Sequence, residues 1–136
     1  MIVHWPNGIQ AHGDFRHTSA HLTDLAPTIM DLVGGAWPTK VAGAPAPPGK
    51  SLTHALARDQ MIPHDYFWWY HDGNRALRAG DWKIVADHKK PWELYDLKAD
   101  RSETKDLADA NKERVRVMAE LWNQCAHQFR DDALKR

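Results

Sequence analysis

Gly73-Asn74-Arg75-Ala76-Leu77-Arg78, Gly80-Asp81-Trp82-Lys83 and Trp92-Glu93-Leu94-Tyr95-Asp96-Leu97 are the segments that decide the fold of this chain. Turn-forming residues separate them, namely Asp72-Gly73, Gly80-Asp81 and Lys89-Lys90-Pro91. An Asp-Gly pair between two strand-like runs is typical of a tight hairpin turn. With the aromatic run Tyr66–Tyr70, this spacing predicts about four short antiparallel strands whose one face is free to take a helix.

The C-terminal segment predicts that helix. Apolar side chains recur there at intervals of three and four residues: Val115, Met118, Trp122, Cys125 and Phe129. Polar residues fill the other positions, and Asp109 or Asn111 is expected to cap the helix. Cys125 lies on the apolar stripe and is therefore expected to be a core residue and not a reactive thiolate.

The N-terminal half predicts fewer regular elements. Ile2-Val3-His4-Trp5 is expected to form a short strand that Pro6 ends. Leu22, Leu25, Ile29 and Leu32 fall at helical spacing and predict a helix, capped by Thr23 or Asp24, with Pro27 in its first turn and Gly34-Gly35 at its end. Residues 34–49 are expected to form a surface loop, and Ser51 to cap a short helix through Leu56.

Composition limits the class of protein. The chain has 136 residues, enough for one domain or slightly more, and 43% of them are hydrophobic. Eighteen basic residues balance eighteen acidic ones, which argues against a nucleic-acid or anionic-membrane partner. No apolar run approaches the ~20 residues of a transmembrane helix. The start at Met1 shows neither the basic nor the apolar region of a signal peptide.

Several short motifs suggest chemistry that their surroundings do not support. Gly49-Lys50-Ser51 resembles the end of a phosphate-binding loop, but Gly43 lies one residue too far away and Pro45, Pro47 and Pro48 remove amide donors. His17 and His21, with His12 nearby, could place two imidazoles on a metal, although ordinary surface or packing roles are favoured. The sequence contains no Gly-x-Ser-x-Gly elbow.

The first hairpin tip is the candidate binding feature. Trp68-Trp69-Tyr70-His71 could stack on a sugar or aryl ring, or its alternate aromatics could face the core. Packing is favoured for Trp68 and Tyr66. For His71, Asn74 and Arg75, which follow one another at a polar turn, ligand binding and packing both remain open.

The order of these features resembles the last third of the formylglycine-dependent sulfatases of the arylsulfatase type. The matching pieces are the strand and turn at Ile2–Ile9, the helix at Asp24–Gly34, the Gly49-Lys50-Ser51-Leu52 helix start, the segments Asn74–Lys83 and Trp92–Leu97, and Asp100-Arg101-Ser102-Glu103. The resemblance implies an α+β fold: a small antiparallel sheet of about four strands on a C-terminal helix, preceded by a strand-loop-helix remnant of the large alkaline-phosphatase-like α/β domain. It implies a domain boundary between 1–62, the tail of the catalytic domain, and 63–136, the C-terminal subdomain.

The resembled family hydrolyses sulfate esters with a formylglycine made from Cys or Ser and a calcium ion held by Asp and Asn side chains. Neither feature carries over to this chain. Cys125, Ser19, Ser51 and Ser102 all lack the Cys/Ser-x-Pro/Ala-x-Arg motif, and Asp131-Asp132 lacks the glycine expected beside a metal-binding pair. We therefore expect no cofactor and no catalytic or metal-binding residue in this chain. The missing N-terminal catalytic region is its expected partner. The resemblance implies a periplasmic or secreted location for the full-length protein, whereas this chain by itself indicates no compartment.

The leading prediction is a C-terminal segment of a sulfatase, inactive alone, that helps to shape the rim of the substrate pocket. His71, Asn74 and Arg75 are the expected rim residues, and they would contact the alcohol or sugar side of a sulfated small molecule or glycan. The alternative is a stand-alone carbohydrate-binding or interaction module, suggested by the seven Trp residues and the polar tip. A purely structural remnant is a third reading.

Overall fold

The computed structural model describes residues 1–10, 13–38 and 48–134 of the chain. It contains two compact units, Met1–Pro63 and His64–Arg136. The expected surface loop at 34–49 falls partly outside the described residues, as do His12, Gly43, Pro45 and Pro47. The roles of the two units in a larger protein remain predictions.

The second unit is built on a four-stranded antiparallel meander, as predicted. Its strands are β1 (Phe67–His71), β2 (Asn74–Ala79), β3 (Trp82–Ala86) and β4 (Glu93–Asp96), and they are hydrogen-bonded in chain order. The register determines which side chains share a face of the sheet. One row of Cα partners crosses all four strands: Trp68, Leu77, Ile84 and Leu94.

Helix α3 (Lys112–Leu134) covers the face that carries this row. Leu77, Ile84 and Leu94 are fully buried, and they form one hydrophobic cluster with Met118 and Trp122 of α3. The predicted apolar stripe is confirmed at Met118, Trp122 and Cys125, which are all buried. Phe129 ends the stripe and is 47% exposed. Burial of such side chains stabilises the unit by ~25 cal/mol for each Å² of apolar surface removed from water.

Two indole hydrogen bonds join α3 to the first strand. The Trp122 Nε1 donates to the Trp69 carbonyl at 3.1 Å, and the Trp68 Nε1 donates to the Trp122 carbonyl at 3.2 Å. The Trp68 and Trp122 rings are stacked, with their centroids 5.3 Å apart. The predicted packing role of Trp68 is therefore confirmed, and both buried indole donors are satisfied.

The segment between β4 and α3 covers the outer edge of β4. The Leu94 amide donates to Asp106 Oδ1 at 2.9 Å, and the Leu107 amide donates to the Leu94 carbonyl at 2.8 Å. Asp100 organises this segment, because its carboxylate accepts hydrogen bonds from the Lys105 and Thr104 amides. Those amides, first that of Lys105, lower the pKa of Asp100. An edge strand that is covered in this way is protected from pairing with another chain.

The first unit contains a 3₁₀ turn at Leu22–Asp24, helix α1 (Leu25–Leu32) and the short helix α2 (Thr53–Ala57). The buried Asp24 carboxylate joins them: it accepts the His21 amide at 2.7 Å and the Lys50 amide at 2.8 Å. The predicted end of α1 is confirmed, since Gly34 takes the left-handed φ of +74° and the Gly35 amide donates to Met30.

Three details of the first unit differ from the prediction. Ile2–Trp5 forms no strand, because none of the described residues supplies the ladder partner that a strand needs. Asp24 occupies the N-cap position of α1, as predicted, but its side chain makes no capping hydrogen bond to that helix. His21 caps the preceding 3₁₀ turn, and Asp24 completes that capping box from inside the turn. The expected apolar stripe of α1 does not enter a core: Leu22 is 78% exposed and Ile29 is 60% exposed. The core of this unit instead consists of Leu52, Ala55 and Ile62.

Ser51 acts close to where it was expected. Its hydroxyl accepts the Thr53 amide at 3.2 Å, so it satisfies a free donor in the first turn of α2. No helix in the described part of the chain is long and apolar enough to cross a membrane.

Candidate functional site

Two turns meet at one end of the sheet, and together they form what we call the tip: residues 71–75 and 87–91. The β1–β2 turn is a two-residue turn in which Asp72 and Gly73 both have positive φ, +49° and +84°. Positive φ at both central residues matches the twist of the flanking strands, which explains why Asp-Gly predicts it. Alternate turns of a meander lie at the same end of the sheet, so the β3–β4 turn is adjacent.

Direct contacts join the two turns. The His88 amide donates to Asn74 Oδ1 at 2.9 Å. The His88 imidazole occupies the space beside Gly73, where a Cβ atom would lie 1.7 Å from Nδ1. Gly73 is thus required twice, once for its backbone conformation and once for the close approach of His88.

Arg75 is the residue of the tip that contacts the β3–β4 turn most extensively. Its Nη2 donates to the Lys90 carbonyl at 3.0 Å, and its guanidinium carbon is 4.5 Å from the centre of the Trp92 ring. A guanidinium over an indole face is held by cation–π attraction as well as by the hydrogen bond. Arg75 is therefore bound to the β3–β4 turn by two contacts.

The outer surface of the tip is polar and open. The His71 and Asp72 side chains are 88% and 85% exposed, and His71 Nε2 lies 3.3 Å from Asp72 Oδ2. An ion pair so exposed contributes little to stability. His88, Lys89 and Lys90 are exposed as well.

The structure thus brings the three expected rim residues to one tip, with different surroundings for each. The sequence predicted a turn at Lys89 and Lys90, but it did not predict a binding role for these lysines or for His88. The predicted meander could have indicated such a role, because its topology places the first and third turns at the same end of the sheet.

No metal centre appears in residues 1–10, 13–38 and 48–134, where no group of three or more His, Cys, Asp or Glu is placed to hold an ion. His17 instead bonds Asp59, with Nδ1 2.7 Å from Oδ2. Hydrogen bonds from the His17 amide and imidazole lower the pKa of Asp59. His21 serves as a helix cap, and Asp132 accepts a hydrogen bond from Gln128. His12 lies outside the described residues.

The hydroxyl and thiol groups have structural surroundings. Cys125 is buried on α3, and its hydrogen bond with the Tyr66 hydroxyl, together with burial, raises the pKa of Tyr66 to about 12. Ser51 donates to Asp31 Oδ2 at 2.6 Å, and this bond is the main cause that lowers the pKa of Asp31. Within the described residues, the hydrogen-bond partners of Ser51 are Asp31 and Thr53, and neither is an imidazole that could act as a base.

The first unit has a cavity of about 570 Å³. Apolar side chains dominate its lining, including Ile2, Val3, Phe15 and Leu52. The Arg16 guanidinium at its wall donates to the Ala55 carbonyl at 2.9 Å. A ligand site usually combines an apolar lining with several converging polar groups, and this cavity offers few.

Comparison with known proteins places these features among sulfatases. The family model described as N-sulphoglucosamine sulphohydrolase, C-terminal, matches residues 1–131. The N-acetylglucosamine-6-O-sulfatase of Bacteroides thetaiotaomicron is 27% identical over 97% of this chain and 25% of its own length. An uncharacterized sulfatase of Schizosaccharomyces pombe is 30% identical over 73% of the chain and 20% of its own length. The chain thus spans a quarter or less of these relatives.

Solved structures share the fold. A 2-O GAG sulfatase superposes with a TM-score of 0.57 and 25% identity, covering 83% of this chain and 26% of its own. A structure bound to its substrate, D-glucosamine-2-N,6-O-disulfate, superposes with a TM-score of 0.55 and 22% identity, covering 83% of this chain and 25% of its own. The second likeness concerns the fold alone.

Proposed function

The chain belongs to the C-terminal family of N-sulphoglucosamine sulphohydrolase, and from that membership we propose that it is the C-terminal part of a sulfuric ester hydrolase whose tip borders the pocket for a sulfated sugar. The match of the family model over residues 1–131 is the observation that carries this proposal. The names of similar proteins support a sugar as the alcohol part of the ester, because one is an N-acetylglucosamine-6-O-sulfatase.

In this proposal the reaction centre lies on polypeptide outside this chain. Sulfate ester hydrolysis needs a nucleophile and positive groups that stabilise the charge of the sulfate oxygens. No Cys or Ser of the sequence stands in the formylglycine motif. The chain alone is therefore proposed to be inactive, and calcium and formylglycine would belong to the whole enzyme.

The proposed role of the tip is to contact the sugar and not the sulfate that is cleaved. His71 offers an exposed imidazole, and Asn74 keeps its amide Nδ2 for a ligand while its Oδ1 accepts the His88 amide. Arg75, also in the tip, holds the β3–β4 turn through its contacts with Lys90 and Trp92. Asn74 and Arg75, which are fixed by these contacts, lose little freedom when a ligand binds.

A stand-alone carbohydrate-binding module is less well supported than a pocket rim. The seven Trp residues suggested it, but Trp122 is part of the core of the second unit and Trp68, Trp82 and Trp92 pack against that core. Those four indoles are used for folding, whereas Trp5 and Trp69 are 42% and 39% exposed.

Two measurements on the purified chain test the proposal. An aryl sulfate assay, with and without calcium, is expected to show no turnover. An NMR titration with N-acetylglucosamine 6-O-sulfate, which detects weak binding, is expected to shift amides of the tip first. His71→Ala and Asn74→Ala should weaken binding, whereas His127→Ala, an exposed histidine on α3, should not. Turnover by the chain, or shifts that avoid the tip, would contradict the proposal.

A further inference from the structure

The β3–β4 turn presents two adjacent cations without carboxylate partners. Among the described residues, Lys89 and Lys90 form no ion pair, whereas Lys83 binds Glu103 through both carboxylate oxygens at 2.6 and 2.7 Å. Their ammonium groups are exposed at the tip, where ammonium donors can bind sulfate or carboxylate oxygens with charge-assisted hydrogen bonds.

Three hydrogen bonds fix the backbone of this turn. The Lys90 amide donates to the Asp87 carbonyl at 3.0 Å, and the Lys90 carbonyl accepts from Arg75 at 3.0 Å. The His88 amide is held by Asn74 at 2.9 Å. Lys89 itself has the left-handed φ of +60°, which a lysine adopts only where the surrounding structure determines it.

The charges nearby leave the turn receptive to an anion. Asp72 and Asp87 are the carboxylates of the tip, and Asp72 lies beside the His71 imidazole. Arg75 adds a third cation beneath Lys90. The carboxylates are thus outnumbered by cations even when both tip histidines are neutral.

We propose that Lys89 and Lys90 form an anion subsite that binds a second sulfate or carboxylate of the sugar, and that Asn74 and Arg75 are positioning residues that hold this turn. The inference rests on the proposed function, because it assumes that the tip faces a sugar. It adds a substrate class: sugars or glycans with two anionic groups, as opposed to those with one.

The test compares ligands that differ in their second anion. The 136-residue chain is titrated by NMR with N-acetylglucosamine 6-O-sulfate, with D-glucosamine-2-N,6-O-disulfate, and with a disaccharide of 6-O-sulfated N-acetylglucosamine and glucuronate. Lys89→Gln/Lys90→Gln is expected to weaken binding of the last two by about three- to tenfold and binding of the first by less than about twofold. If the disulfate loses more affinity, the second anion is a sulfate; if the disaccharide with glucuronate loses more affinity, it is a carboxylate.

A matched control removes the same charge elsewhere. Lys98→Gln/Lys105→Gln changes two exposed lysines of the segment after β4 and should leave all three affinities unchanged. Raising the salt concentration should weaken the two doubly anionic ligands more than the singly anionic one.

Arg75→Lys tests the positioning role. It keeps the positive charge but loses the planar group that spans Trp92 and Lys90. We expect it to lower the preference for doubly over singly anionic ligands by about threefold, a ratio that a general loss of stability would not change.

The outcomes separate the two proposals. If the monosulfate shifts the tip while the lysine variants bind every ligand like the unmodified chain, the anion subsite is wrong and the pocket rim stands. If no ligand shifts the tip, both are wrong. Equal weakening by the control pair would also overturn the subsite, because net charge alone would then explain the binding.

Discussion

Gly73 at the tip is required for two separate reasons, its backbone conformation and the space that it leaves for His88. Its φ of +84° disfavours any side chain, and the His88 imidazole fills the place of a Cβ atom. Gly80 supplies a comparison within the same sheet, since its φ is +60° but no atom of the described residues lies within 4 Å of a Cβ atom there.

We therefore predict that Gly73→Ala destabilises the second unit more than Gly80→Ala does. Gly80→Ala should cost about 1 kcal/mol of unfolding free energy from backbone strain alone. Gly73→Ala should cost about 1 kcal/mol more, because His88 must move and the His88–Asn74 hydrogen bond is disturbed. Urea unfolding followed by tryptophan fluorescence measures both. Equal losses would show that the contact with His88 has no energetic importance.

Tyr95 gives a prediction about pH. Its hydroxyl donates to Glu93 Oε2 at 2.7 Å, and this hydrogen bond, followed by burial, raises the pKa of Tyr95 to about 12. An unfolded tyrosine titrates near 10. The folded form thus holds the proton more tightly, so the stabilisation is complete below pH 10 and is lost as the pH rises from about 10 to about 12.

Tyr95→Phe should remove this dependence. Between pH 10 and 12 the unfolding free energy of the unmodified chain should fall by on the order of 2 kcal/mol more than that of the variant. Tyr66, whose pKa is also about 12, is present in both proteins and cancels in the difference. Parallel stability curves over that interval would contradict the prediction.

At the scale of elements, the contact between α3 and the sheet dominates the second unit. Trp122 joins the buried cluster, stacks on Trp68 and donates to the Trp69 carbonyl. Phe129 lies two turns further along the same helix, touches Trp68 edge-on with centroids 5.0 Å apart, and remains 47% exposed.

Trp122→Ala is accordingly expected to cost about 3–5 kcal/mol of unfolding free energy, the usual loss for a large buried aromatic. Phe129→Ala, on the same stripe, should cost about 1 kcal/mol because much of its ring is already in water. Chemical unfolding followed by far-ultraviolet circular dichroism measures the two losses. A Phe129→Ala loss as large as that of Trp122→Ala would mean that the end of α3 is packed more tightly than its exposure indicates.

The elements that the sequence predicted are those whose signals are local. Asp72-Gly73 specifies its own turn, and the three-four spacing of Met118, Trp122 and Cys125 specifies one face of α3. Ile2–Trp5 was wrongly predicted as a strand because a strand depends on a neighbour that its own residues do not encode. The engagement of Arg75 with Lys90 was also beyond prediction, since its partner is a backbone atom fifteen residues away that only the register places.

For the whole molecule, the two units have separate cores. Leu52, Ala55 and Ile62 form one, and the cluster under α3 forms the other. The division falls between Pro63 and His64. A domain that contains its own hydrophobic core can fold alone.

We predict that residues 64–136 fold without residues 1–63. The amide NMR spectrum of the shorter segment should reproduce the chemical shifts of β2, β3 and α3 in the complete chain, and its urea unfolding should be a single cooperative transition. Loss of chemical-shift dispersion in the segment would show that the second unit depends on the first. Residues 1–63 serve as the complementary sample, and their exposed apolar side chains, such as Ile2 at 97%, predict association at high concentration.

The hydrogen bonds that Asn74 and Arg75 make to the β3–β4 turn have an evolutionary consequence. They engage the backbone amide of His88 and the backbone carbonyl of Lys90, and no side chain of residues 88–90 is needed for them. Their side chains can therefore vary while these hydrogen bonds persist, although position 89 favours residues that tolerate a φ of +60°, such as Gly and Asn. A randomised library at 88–90, with Gly73, Asn74 and Arg75 left intact, is the natural starting point for redirecting such a protein toward a differently decorated polysaccharide.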